Sequence, residues 1–203
     1  MQNKGTLVIL SGPSGSGKDT VLSELFKECP EICKSISMTT RAIRDGEVDG
    51  KDYIFVSKEE FNQAVENNQM LEYAEYGTNL YGTPKAPVDN WLSQGKTVVL
   101  KIEVQGAENI RKKYNDAVSI FIIPPSLEIL KKRLMGRGSE DEESLNRRLN
   151  IAVDEIGRIN EYEYVIVNGE LSDAVRDIKT IIDAEKLKIS RNSKLISEVK
   201  GNV

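Results

Sequence analysis

The chain has 203 residues, 39% of them hydrophobic and 30% charged, enough apolar material for one core with inserted lobes. Its 28 basic and 32 acidic residues leave a net charge of -4, which excludes general binding to nucleic acid or to an anionic membrane surface. No apolar run approaches the roughly 18 residues needed to span a bilayer, and Met1-Gln2-Asn3-Lys4 leads directly into a strand-like segment, so a cytoplasmic protein without a signal peptide is expected.

Thr6-Leu7-Val8-Ile9-Leu10 is a short apolar run of the kind that forms a strand buried on both faces. The glycine-rich turn Gly12-Pro13-Ser14-Gly15-Ser16-Gly17-Lys18 follows, and then a helix over 20–28. Cys29 and Cys33 flank Pro30 at a spacing unsuited to a redox pair, and they read as structural thiols in a reducing compartment. The chain contains no histidine, which removes the usual zinc ligand and the commonest general base.

Residues 37–82 hold short strands at 53–56, 70–74 and 79–81 and a helix at 58–66, which predict an inserted α+β lobe. Further strands at 97–102, 118–123 and 164–167 alternate with helices at 105–113, 126–135, 142–160 and 171–189. That alternation predicts an α/β fold, a mainly parallel sheet covered by helices on both faces. The expected organisation is a core of residues 1–36, 83–125 and 158–190, the inserted lobe 37–82, a helical lid 126–157 rich in Arg and Glu, and a tail 191–203 that is frayed or loosely helical.

Gly12, Gly15 and Gly17 allow the backbone N–H groups of Pro13-Ser14-Gly15-Ser16-Gly17, proline excepted, to close around a triphosphate. Lys18 reaches the β- and γ-phosphates, and the following helix turns its positive end toward them. The pattern predicts an ATP site. The next residue is ordinarily Ser or Thr, a ligand of Mg²⁺, but here it is Asp19, followed by Thr20. Asp19 either holds the ion, directly or through water, or stabilises the helix start by its charge.

A second anion site follows about twenty residues on. Arg41 and Arg44, three apart, suit charge-assisted bonds to a phosphate, and Tyr53 and Tyr81 add hydroxyl donors. Two phosphate sites in one small protein suggest transfer of a phosphoryl group between two nucleotides, chemistry that needs positioning and charge neutralisation more than a general base.

The run Thr39, Thr40, Arg41, Arg44, Glu47, Gly50, Tyr53 and Phe55 resembles the monophosphate-binding segment of the guanylate kinase family without a gap. The resemblance continues through Asn79-Leu80-Tyr81-Gly82-Thr83, Ile102-Glu103-Val104-Gln105-Gly106, Gly136-Arg137-Gly138 and Val165-Ile166-Val167-Asn168, and covers about residues 5–190. It implies a P-loop nucleoside monophosphate kinase of purine metabolism that converts ATP and GMP to ADP and GDP with Mg²⁺. It implies Arg41, Arg44, Tyr53 and Tyr81 as the clamp on the GMP phosphate. Glu72 matches the carboxylate that reads guanine, Ser37 and Thr83 match the family's hydroxyls, and Glu103 matches an acidic position near the base. Arg137 and Arg148 match lid arginines that reach the triphosphate, with Arg133 a weaker candidate, and Asn168 matches an adenine-side contact. Nothing reads the 2′-hydroxyl, so dGMP is expected as a second acceptor.

Lys101 departs from the resemblance, where an acidic residue is usual; it either removes a metal-water role or brings positive charge to the phosphates. The rival reading is a related phosphopeptide-binding module without catalysis. Such modules have commonly lost the intact cradle, whereas Gly12, Gly17, Lys18, Arg137 and Arg148 are all present here.

Overall fold

A computed structural model describes residues 5–135 and 142–201. The first strand, β1 (Thr6–Ser11), is buried along its whole length. Val8 and Leu10 point to one face and Leu7 and Ile9 to the other, each into its own apolar cluster. Alternation across a strand thus builds two cores from one sequence run.

β1 lies at the centre of a five-stranded sheet between β7 (Thr97–Lys101) and β8 (Val118–Ile123), with β2 (Cys33–Lys34) and β9 (Tyr164–Val167) at the edges. All its pairings are parallel, and Leu10 faces Lys101 in register. One face is covered by α1 (Lys18–Glu28) and α7 (Leu171–Lys186), whose Ala174, Val175, Ile178 and Ile182 recur at helical spacing. The other is covered by α3 (Lys85–Ser93) and α4 (Val104–Lys113) through Val88, Ala107 and Ile110. This is the expected parallel sheet with helices on both faces.

A second sheet has four strands in the order β4 (Ile54–Phe55), β3 (Met38–Thr39), β6 (Asn79–Pro84) and β5 (Met70–Tyr76). Its helix α2 (Lys58–Glu66) starts at a reciprocal cap: the Ser57 hydroxyl accepts from Glu60 N–H, and the Glu60 carboxylate accepts from Ser57 N–H. Phe61, Ala64 and Met70 form a separate small core beneath it. Helices α5 (Leu127–Met135) and α6 (Glu142–Gly157) pack together through Leu130, Leu134, Leu145 and Ala152.

The helices depart from the sequence expectation in places, α7 for one ending at Lys186 rather than at 189. Helix α3 forms where the sequence reading placed no element; Pro84 precedes it and Pro87 lies in its first turn, where no intrahelical N–H is required. Of the two expectations for the tail, frayed or loosely helical, the structure shows a helix, α8 (Ser193–Gly201). The helix begun at Glu142 stops at Gly157, three residues early, and a short 3-10 turn follows. Cys29 and Cys33 are both free thiols. Among the described residues no helix is long and apolar enough to cross a membrane.

Candidate active site

The chain turns from β1 into α1 through residues 12–17. Gly12, Gly15 and Gly17 carry φ of 149°, 84° and 91°, backbone space that favours glycine. Gly17 has a second reason to lack a side chain, because a Cβ there would strike the Asn168 amide. That amide donates to the Ser16 carbonyl at 2.7 Å, so the end of β9 grips the loop. Arg133 of α5 joins the grip, donating to the carbonyls of Ser16 at 3.3 Å and Asn168 at 3.0 Å. Lys18 is buried, and its ammonium donates to the carbonyls of Gly12 at 2.5 Å and Pro13 at 3.1 Å. An anionic phosphate oxygen would draw it off those neutral carbonyls. Beside the loop, Gly15, Gly17, Thr20, Arg133, Asn168, Gly169 and Leu171 line an open cleft.

Helix α6 reaches the same loop from above. Arg148 donates to the Ser14 hydroxyl at 3.3 Å. Glu155, seven residues later and on the same helix face, stands close to the Ser14 backbone. Its Oε2 is buried without a hydrogen-bond partner. Burial pushes Glu155 up to about 7, and Glu103 adds to this, while Lys18 and the Ser14 N–H oppose it. The sequence reading did not single out Glu155; the signal was its two-turn spacing from Arg148.

A second cleft opens between the two sheets, lined by Ser37, Tyr53, Glu72, Tyr76, Tyr81, Glu103 and neighbours. Glu72 is only 5% exposed, and its Oε1 accepts from the Thr83 hydroxyl at 2.6 Å. Thr83 is fully buried, so its hydroxyl serves the carboxylate. Gly106, in the first turn of α4, packs so closely that a Cβ would lie 2.5 Å from Glu72 Oε2. Burial raises Glu72 to about 7; the Thr83 hydroxyl and Lys113 pull it back, and Glu103 pushes it further.

At the mouth of this cleft the Arg41 guanidinium lies 5.4 Å from the Tyr53 ring and 5.6 Å from the Phe55 ring. It donates to Glu47 Oε1 and to the Ala42 carbonyl, both at 2.7 Å. The Arg41 hydrogen bond holds Glu47 below its ordinary value. Tyr53 and Tyr81 meet edge to face, with ring centroids 6.0 Å apart. Arg44 stands on the same loop with an exposed side chain, its backbone N–H bonded to Glu47 Oε2 at 2.8 Å.

Lys101 joins the two places. Its ammonium donates to Asp19 Oδ1 at 2.5 Å and to the Tyr53 hydroxyl at 3.3 Å. The two departures from the expected pattern are therefore partners. Asp19 supplies the hard carboxylate oxygen that Mg²⁺ prefers, but its Oδ1 is held by the Lys101 ammonium, so an ion here would be carried mainly on phosphates and water. Among the described residues no three Asp, Glu or Cys side chains cluster to hold a metal alone.

The structure thus gathers residues 12–19, Arg148 and Asn168 at one end of the sheet, and Ser37, Tyr53, Glu72, Tyr81, Thr83 and Glu103 in the adjoining cleft, with Arg41 at its edge. Arg137 lies outside the described residues.

Comparison with known proteins gives the family. Residues 4–185 match the family described as guanylate kinase. A guanylate kinase of Streptococcus thermophilus (strain CNRZ 1066) is 50% identical over 192 residues, covering 94% of this chain and 92% of the relative. One of Clostridioides difficile (strain 630) is 46% identical over 195 residues, covering 96% of this chain and 95% of the relative. The crystal structure of guanylate kinase from Anaplasma phagocytophilum superposes with a TM-score of 0.80 at 36% identity, covering 94% of this chain and 91% of that one. With a match to the family along nearly its whole length and close relatives of the same name, this chain belongs to the guanylate kinase family.

Proposed function

We propose that this chain transfers the γ-phosphoryl group of ATP to GMP, and also to dGMP, giving ADP and the nucleoside diphosphate. The observation that carries the reading is the buried Glu72–Thr83 pair at the base of a cleft adjoining a phosphate cradle. Guanine presents N1–H and N2–H donors on one edge, and an ionised carboxylate accepts both. Adenine has no donor pair there, so it would leave a buried carboxylate unmatched, the kind of penalty that gives strong selectivity.

In this reading the loop amides and Lys18 hold the donor triphosphate, with Thr20 and Asn168 beside it. Arg41, Arg44, Tyr53 and Tyr81 hold the acceptor phosphate in line. Ser37 and Glu103 stand beside the base. The attacking phosphate oxygen is already ionised, so no side chain has to remove a proton. Arg148 and Arg137 neutralise charge on the moving group when the helical segment 126–157 and the lobe 37–82 close on the core. Closure also excludes water, which would otherwise accept the phosphoryl group. When bound with ATP, Mg²⁺ would neutralise charge on the phosphates, and Asp19 is the residue that would reach it, directly or through water. An acidic chain with free thiols suits a cytoplasmic enzyme of small substrates.

The test is ADP release measured with GMP, dGMP, AMP, CMP, UMP and no acceptor. Release with GMP and dGMP far above the others supports the reading; equal rates without acceptor would make this an ATPase and sink it.

A further inference from the structure

Lys101 ends β7 at the carboxyl edge of the parallel sheet, the edge where such folds place ligands. One of its neighbours, Asp19, follows Lys18 at the start of α1. The other, Tyr53, lines the carboxylate cleft. A single ammonium therefore touches both halves of the site. Only 24% of the Lys101 side chain is exposed, against 66% of Asp19, so packing restrains the lysine more than its partner.

We propose that Lys101 is a catalytic residue of this chain: its ammonium binds an oxygen of the acceptor phosphate beside Tyr53 and remains on the phosphoryl group as it crosses, while Asp19 aims it. The bond from the γ-phosphorus to the ADP oxygen breaks, and its electron pair leaves with ADP. The new bond forms from the acceptor phosphate oxygen, and Lys101 neither gives nor takes a proton. Two polyanions meet here, and a fixed cation between them lowers the charge that builds up in transit. This inference rests on the phosphoryl-transfer reading above.

The experiment compares Lys101→Met, Lys101→Arg and Asp19→Asn with the parent. GMP and guanosine binding are measured by calorimetry without ATP or metal, and kcat and KM by ADP release. Lys101→Met should bind GMP about tenfold more weakly, in the range of a lost hydrogen bond to a charged group. Guanosine affinity should not change. Its kcat should fall about 100-fold, as for loss of one group that stabilises charge in the transition state. Lys101→Arg should recover much of both, because it keeps the charge, and Asp19→Asn should lower kcat with GMP affinity little changed. Should the Met variant fail to fold, Lys101→Gln takes its place in the same measurements. Parental GMP affinity and kcat in a folded Lys101 variant, or equal losses for GMP and guanosine, would overturn the inference while the parent's turnover of GMP leaves the wider reading standing. A parent that phosphorylates no nucleoside monophosphate removes both.

Discussion

Thr83 donates its hydroxyl to Glu72 Oε1 at 2.6 Å from the position directly opposite across β5 and β6. Burial raises the Glu72 carboxyl to about 7, yet guanine's two donors need the ionised form. GMP binding near pH 6 should therefore release a proton, and GMP affinity should rise with pH and level off above about 7. Calorimetry in buffers of different ionisation enthalpy checks this; an enthalpy independent of buffer would rule it out. The sign for stability is opposite. A carboxyl raised in the folded state stabilises the free protein below about 4.5, its ordinary value, and that contribution is lost as pH climbs through about 7.

Glu72→Gln should remove that slope and damage GMP use. The amide sets an N–H₂ against guanine's donors, at about 1–3 kcal/mol or more. The ratio of kcat/KM for GMP over AMP should fall, and an unchanged ratio would take Glu72 out of base recognition.

Arg41→Met should weaken GMP binding by roughly 1.5–3 kcal/mol, the range for hydrogen bonds to a charged group. Guanosine, which lacks the phosphate, should bind variant and parent alike. Equal losses for both ligands would assign Arg41 to holding its loop through Glu47, its 2.7 Å partner.

Lys18→Ala should abolish phosphoryl transfer and leave GMP affinity nearly intact, since its ammonium contacts only the carbonyls of Gly12 and Pro13 among the hydrogen bonds seen. GMP titration of the variant decides this. Loss of GMP binding in a folded variant would mean that the two substrate places depend on each other.

Glu155 stands against the Ser14 backbone of the loop, so its charge at pH 8 would repel a triphosphate placed there. Glu155→Ala should therefore tighten ATP binding at pH 8 by roughly two- to fivefold, equivalent to about 0.5–1 kcal/mol for a partly exposed charge. The gain should shrink at pH 6, where the parent carboxyl, raised to about 7, is mostly protonated. ATP titrations at the two pH values provide the check. Weaker ATP binding at pH 8 would make Glu155 a support for the nucleotide.

Much of this was legible in the sequence because it is local. The apolar run at Thr6–Ser11 and the glycine spacing after it define the strand, turn and helix within about twenty residues. The burial of Glu72 beside Thr83 was accessible only through the resemblance, since β pairing sets two residues face to face that the chain separates by eleven positions. The Lys101–Asp19 contact spans 82 positions, and nothing in either local pattern announces the other. Strand β2 escaped notice because two residues at a sheet edge carry no period. Helix α3 did so because proline reads as a breaker wherever it stands, although the first turn of a helix accepts it.

The grip of Asn168 on Ser16 has a consequence for how the protein is made. The loop that holds phosphate is encoded near the start of the chain, yet its outer brace lies 152 positions later. During synthesis the first sixty or so residues to leave the ribosome contain every residue of that loop and none of its clasp. If the loop captures nucleotide as proposed, that capture should come late in biogenesis, once β9 has docked on β8. A chain cut before Tyr164 should keep the loop's sequence and lose ATP binding, and Asn168→Ala in the full chain should reproduce part of that loss.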